Sequence, residues 1–150
     1  MQPFWRLLYL LKPQIIVLKS LETAIKIRDL MSYPVATVLP EATVVEAIRR
    51  MVGETKGSVL VARDGLLKEC LGIITARQIF QKVFAKGLDP ESVKVTEIMI
   101  PAPLITIDLD ATTKEAAGLM LDHNIRRLPV VKSGTLVGII TSKDLLRSVE

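Results

Sequence analysis

The chain has 150 residues, 49% hydrophobic and 24% charged, with a single cysteine, which excludes both a disordered chain and a disulfide scaffold and points to a reducing, cytoplasmic compartment. Lys and Arg number 20 against 16 Asp and Glu, a formal net charge of +4. The signs alternate instead of forming blocks and aromatics are only 4%, so the charge fits an anionic small ligand better than a nucleic-acid surface.

Residues 1–26 form an apolar arm, with Phe4, Trp5, Tyr9 and a run of Leu, Ile and Val reaching Leu18. A spanning helix needs about 20 apolar residues, and Arg6, Lys12 and Pro13 interrupt this run. A signal peptide would show a basic start and a small-residue cleavage site, and neither is visible. The arm reads as a short helix or extended segment covering an apolar surface of its own chain or of a partner. Peripheral membrane contact through Trp5 and Tyr9 is the alternative.

The remainder is a repeat. Val35–Ala47 matches Leu104–Ala116, with Thr, Ala-Thr and Glu-Ala recurring at one offset, and Met51 continues onto Met120. Gly72-Ile73-Ile74-Thr75 falls on Gly138-Ile139-Ile140-Thr141, and Asp29-Leu30-Met31 on Glu97-Ile98-Met99. These matches define a first unit over 27–83, a linker over 84–94 and a second unit over 95–150.

Each unit predicts the same elements in the same order. A β-branched strand (Ala36–Leu39; Ile105–Ile107) leads to Thr43-x-x-Glu46 or Thr112-x-x-Glu115, both capping boxes that open a helix. Apolar Val44, Ala47, Ile48 and Met51 keep helical spacing in the first of these helices. A hairpin follows, Ser58–Ala62 to Leu71–Ile74 around Asp64-Gly65, and Leu128–Val131 to Val137–Ile140 around Ser133-Gly134. A second helix starts directly at Thr75 and at Thr141. The fold class is therefore α/β, of the α+β type. Two β-α-β-β-α units should pack as one pseudo-symmetric globule, because neither can bury both faces of its hairpin alone.

The pattern resembles the CBS domain, and its tandem copies resemble the CBS pair called a Bateman module. The resemblance rests on Asp29-Leu30-Met31, on Asn124–Val131 with its Arg126-Arg127-Leu128-Pro129 core, and on Gly138–Leu145. It implies adenine nucleotides (AMP, ADP, ATP or S-adenosylmethionine) held in clefts between the copies, and a regulated protein partner. The residues it marks for the nucleotide are Thr37, Thr75, Thr106, Arg126, Arg127, Pro129, Thr141, Lys143 and Asp144. Thr141 would contact phosphate and Asp144 two ribose hydroxyls, while Arg126, Arg127 or Lys143 hold phosphates and Thr37 and Thr106 line the clefts. The same residues also have a purely local reading, Thr141 as an N-cap and Asp144 as a first-turn carboxylate.

Copy one departs from this pattern, because Thr75-Ala76-Arg77-Gln78 places an amide where Asp144 stands in copy two. The expectation is one well-occupied site per chain, on the Asp144 side. The resemblance also implies a homodimer, and the apolar arm, which must be covered, is expected to pack on the partner around Phe4–Leu18 or to extend the interface. His123 has no neighbour at metal-ligand spacing and Cys70 reads as a buried strand or turn residue, so no metal and no catalysis are expected. Two other classes stay open: an interaction module whose clefts are filled by its own side chains, and a basic nucleic-acid binder.

Overall fold

The computed structural model describes residues 25–54 and 56–149. The arm around Phe4–Leu18, assigned above to a covered apolar surface, lies outside them. The element order is β1 (Thr37–Val38), α1 (Val44–Gly53), β2 (Ser58–Ala62), β3 (Cys70–Thr75) and α2 (Ala76–Ile79), which one π-helical turn at Phe80–Phe84 continues. The second copy follows as α3 (Val95–Ile98), β4 (Ile100–Pro101), β5 (Ile107–Asp108), α4 (Thr113–His123), β6 (Arg127–Lys132), β7 (Thr135–Thr141) and α5 (Ser142–Arg147).

Both capping boxes form. The Thr43 N–H donates to Glu46 Oε2 at 2.6 Å and the Glu46 N–H donates back to Thr43 Oγ1 at 3.3 Å. Thr112 and Glu115 repeat this at 2.8 and 3.3 Å, and Asn124, in the left-handed conformation at φ 51°, ends α4. The copy-two hairpin turns on Ser133 and Gly134, both at positive φ, as a two-residue turn that continues strand twist requires. The copy-one hairpin is looser. Asp64 Oδ1 accepts the Leu66 N–H at 2.8 Å, and a 3-10 turn at Leu67–Glu69 fills the remaining length.

The strands form two sheets, ordered β1-β2-β3-β4 and β5-β6-β7. In each, the leading strand runs parallel to the next (Thr37 beside Leu60; Ile107 beside Val130) and the hairpin is antiparallel. The sheets face each other over Leu60, Ala62, Cys70, Ile73 and Leu136, all buried. Backbone bonds join the two hairpin loops, Leu67 N–H to the Gly134 carbonyl at 2.8 Å and Leu136 N–H to the Gly65 carbonyl at 2.7 Å. Cys70 lies inside this layer, and burial pushes its thiol above the usual range, the opposite of what a nucleophile needs.

The copies also exchange their leading segments. Ile27, fully buried, packs in the second core with Ile107, Ala116, Leu128, Val130 and Ile140, while Val95 and Ile98 pack in the first with Val44, Ala47 and Ile74. Polar contacts anchor the leading segments, some from the crossing segment and some from within the receiving copy. Asp110 receives Arg28 and, at 2.9 Å, Lys132, and these two partners hold its carboxyl below the usual range; Glu41 receives Arg63 in the matching place. Lys26 Nζ donates to the Asp110 carbonyl and Lys94 Nζ to the Glu41 carbonyl, each at 3.1 Å. Repeat boundaries read along the chain (27–83 and 95–150) are thus crossed in space by the first few residues of each unit. Ile27→Ala should cost about 2–5 kcal/mol, the range for emptying a buried Ile site, although Ile27 lies outside the sheet it stabilises. Thermal unfolding of the variant checks it.

Candidate functional site

Each copy ends its hairpin by passing straight from strand to helix, and the two turns are built alike. At Thr141 the backbone N–H and the hydroxyl both donate to Asp144 Oδ2, at 2.9 and 3.0 Å. At Thr75 the same two donors reach Gln78 Oε1, the N–H at 2.9 Å. The carboxylate and the amide do the same structural work. Asp144 is buried and its other oxygen lies 3.7 Å from Arg147 Nη1. Both Thr side chains are therefore engaged in capping, which is the local reading the sequence offered.

A cleft of about 320 Å³ opens beside the copy-one turn. Thr75, Arg77 and Gln78 form one side, with Ile73 from β3 and Ile100 from β4. Copy two supplies the opposite wall: Pro103, Leu104 and Ile105 before β5, then Asn124–Arg127 and Pro129 at the start of β6. The volume is at the lower end for small-molecule sites. Its floor is apolar, three arginines rim it, and no carboxylate lines it. Among the described residues, neither Arg77, Arg126 nor Arg127 has an ion-pair partner. Burial, and then the neighbouring charge of Arg126, pulls the half-buried Arg127 guanidinium below its usual value.

The grouping of residues differs from the sequence expectation. Arg126, Arg127 and Pro129 line the cleft of Thr75, and Thr141, Lys143 and Asp144 do not. The cause is the two-fold packing, which sets the strand-to-helix turn of one copy against the leading strand and β6 start of the other. Thr37 lines a separate open hollow beside α1 with Glu41, Glu46, Arg49 and Arg50, and Thr106 is not among the cleft residues. Arg77 gained no role from the sequence. The offset that carries Thr75 onto Thr141 also carries Arg77 onto Lys143, and that signal could have found it.

Two further details shape the site. A Cβ built on Gly57 would lie 2.6 Å from Arg127 Nη2, so the guanidinium rests on that glycine backbone. The second detail is Pro129. In copy one the Leu60 N–H donates to the Ala36 carbonyl at 2.9 Å. Pro129, at the matching place, has no N–H, and the Ile105 carbonyl has no backbone partner among the described residues. Strand β5 ends short of Pro129, pairing only at Val130 and Val131, so the sheet tolerates it.

Two copies of one unit, joined through their hairpins and leaving a ligand-sized cleft at the junction, define a tandem-repeat module. The chain belongs to the CBS domain family, whose model matches residues 27–85 and 95–150. It is 36% identical over 119 residues to a CBS domain-containing protein of Bacillus subtilis, covering 79% of this chain and 81% of that one. An uncharacterized protein of Methanopyrus kandleri is also 36% identical, over 125 residues; the match covers 83% of this chain but 62% of that longer protein. Among solved structures, a CBS domain protein of Pyrobaculum aerophilum complexed with AMP superposes with a TM-score of 0.69. That match is 25% identical and covers 80% of this chain and 89% of the other. No helix among the described residues is long and apolar enough to cross a membrane.

Proposed function

We propose that this chain is a non-catalytic regulatory module that binds an adenine nucleotide in the Thr75 cleft and signals its occupancy to a protein partner. The observation that carries the reading is the set of three arginines without ion-pair partners around an apolar floor. Purine and ribose can lie on Ile73, Leu104, Ile105 and Pro129, with phosphate at Arg126 and Arg127. A half-buried guanidinium without a counter-ion gains most from an anion that completes its bonds. The Ile105 carbonyl, left without a partner by Pro129, can accept from an exocyclic amine. The AMP complex of the archaeal relative supports the ligand class.

The self-filled reading applies to the opposite side. There Asp144 is held by Thr141 and by an ion pair with Arg147. We therefore place the one occupied site per chain at Thr75, opposite to the sequence expectation. Thermal shift with AMP, ADP, ATP and S-adenosylmethionine tests it. Saturation at about a hundred times Kd adds about 2.7 kcal/mol, a rise of roughly 5–10 °C for a chain of this size. The phosphate-bearing ligands should all exceed the cationic sulfonium, which three arginines repel. No shift with any of the four overturns the reading.

We infer homodimerisation from apolar side chains exposed on the helical surfaces. Phe80 and Phe84 are 58% and 50% exposed with ring centroids 5.7 Å apart, and Leu121 and Leu146 are 82% and 70% exposed. Such surface is an association liability unless a partner covers it. Removing residues 1–20 should weaken the dimer in sedimentation equilibrium. An unchanged dissociation constant would show that the arm takes no part.

A further inference from the structure

Gln78 and Asp144 occupy matched positions, yet they present opposite hydrogen-bonding edges. Asp144 spends one oxygen on Thr141, and its other oxygen, 3.7 Å from the exposed Arg147 guanidinium, is engaged only by that ion pair. A carboxylate edge of that kind matches a ribose diol, which donates two protons. At Thr75, two donors, the N–H and the hydroxyl, fix which end of the Gln78 amide turns inward: it is Oε1. The remaining edge is therefore the NH2, which has no acceptor among the described residues. Arg77 stands beside it and lines the same cleft, where no carboxylate opposes either group. An amide NH2 next to a guanidinium is matched by an acceptor, and best by an anion.

We propose that the Thr75 cleft selects nucleotides phosphorylated on both sides of the ribose, with the 5′-phosphate at Arg126 and Arg127 and a 2′- or 3′-phosphate at Arg77 and Gln78. This rests on the nucleotide reading above and narrows it. In a cleft with an aspartate at position 78, such a second phosphate would meet like charge. Here it meets two donor-bearing side chains, Arg77 and Gln78, and nothing acidic.

Calorimetric titration of the full chain with AMP, adenosine 3′,5′-bisphosphate and adenosine 2′,5′-bisphosphate is the test. One bisphosphate should bind at least about tenfold tighter than AMP, the gain expected from one charge-assisted contact. Arg77→Ala should shrink that ratio to within about twofold, as the contact is removed. Gln78→Asp keeps the acceptor for Thr75, so the helix start survives, and should reverse the order in favour of AMP. Equal or tighter binding of AMP by the unaltered chain overturns the inference, as does a ratio that Arg77→Ala leaves unchanged. If AMP binds without any bisphosphate preference, only this inference falls. If none of the three binds, the nucleotide reading falls with it.

Discussion

Alanine at both Arg126 and Arg127 is expected to weaken AMP binding by about a hundredfold or more while leaving the fold intact. Each guanidinium–phosphate contact is charge-assisted and worth roughly 1.5–3 kcal/mol net, and 1.4 kcal/mol is a factor of ten. Neither side chain holds the protein together. Arg126 is exposed, Arg127 is half-buried, and neither forms an ion pair among the described residues. Removing the Arg127 charge also removes its desolvation cost, so the melting temperature should not fall. Adenosine, which lacks the phosphate, provides the internal comparison and should lose far less affinity than AMP. The AMP affinity of the unaltered chain should also fall with added salt more steeply than that of the double variant. Calorimetry at two ionic strengths reads all of this. Equal losses for adenosine and AMP would remove the phosphate role of the arginines. A larger loss from Asp144→Ala than from the double variant would return the site to the copy-two turn.

That last comparison shows where the sequence stops being informative. Capping residues, turn dipeptides and strand alternation are local, so Thr43-x-x-Glu46, Thr112-x-x-Glu115 and Ser133-Gly134 announce their structures without tertiary help. The repeat offset adds the global statement that two such units share one core. What it leaves open is which side of the junction each side chain faces. Arg127 pairs with Thr141 in the sheet register, and from the chain alone it belongs with Asp144. Two-fold packing brings the Arg127 end of β6 against the other copy, to the cleft of Thr75. The exchange of Ile27 and Val95 between cores is hidden for the same reason. Both are apolar residues preceding a predicted strand, and either core would satisfy them. The walls of the cleft, Ile73, Leu104 and Ile105, read simply as core until the packing leaves them a gap.

The exchange itself makes the sharpest stability prediction, because two glycines are where each leading segment crosses the other copy's hairpin. A Cβ on Gly72 would lie 2.5 Å from the Ile100 carbonyl oxygen and 2.7 Å from Met99 Sδ. A Cβ on Gly138 would lie 2.6 Å from Met31 Sδ and 2.7 Å from the Ser32 carbonyl oxygen. Met can swing aside, but a paired backbone oxygen cannot. Ile100 pairs with Ile73 and Ala102 N–H reaches the Leu71 carbonyl at 2.8 Å, while Ser32 and Ile139 exchange bonds of 2.9 and 3.0 Å. Alanine at either glycine should therefore cost about 1–3 kcal/mol from overpacking, or about 3–10 °C in melting temperature. The two variants should differ in binding. Ile100 lines the Thr75 cleft, so Gly72→Ala displaces a wall of the site, whereas Gly138→Ala displaces Ser32 on the far side. Measured well below their melting temperatures, Gly72→Ala should lose AMP affinity and Gly138→Ala should keep it. Loss in Gly138→Ala alone would put the nucleotide on the Asp144 side, and unchanged stability in both would mean that the leading segments are not held against the hairpins as described.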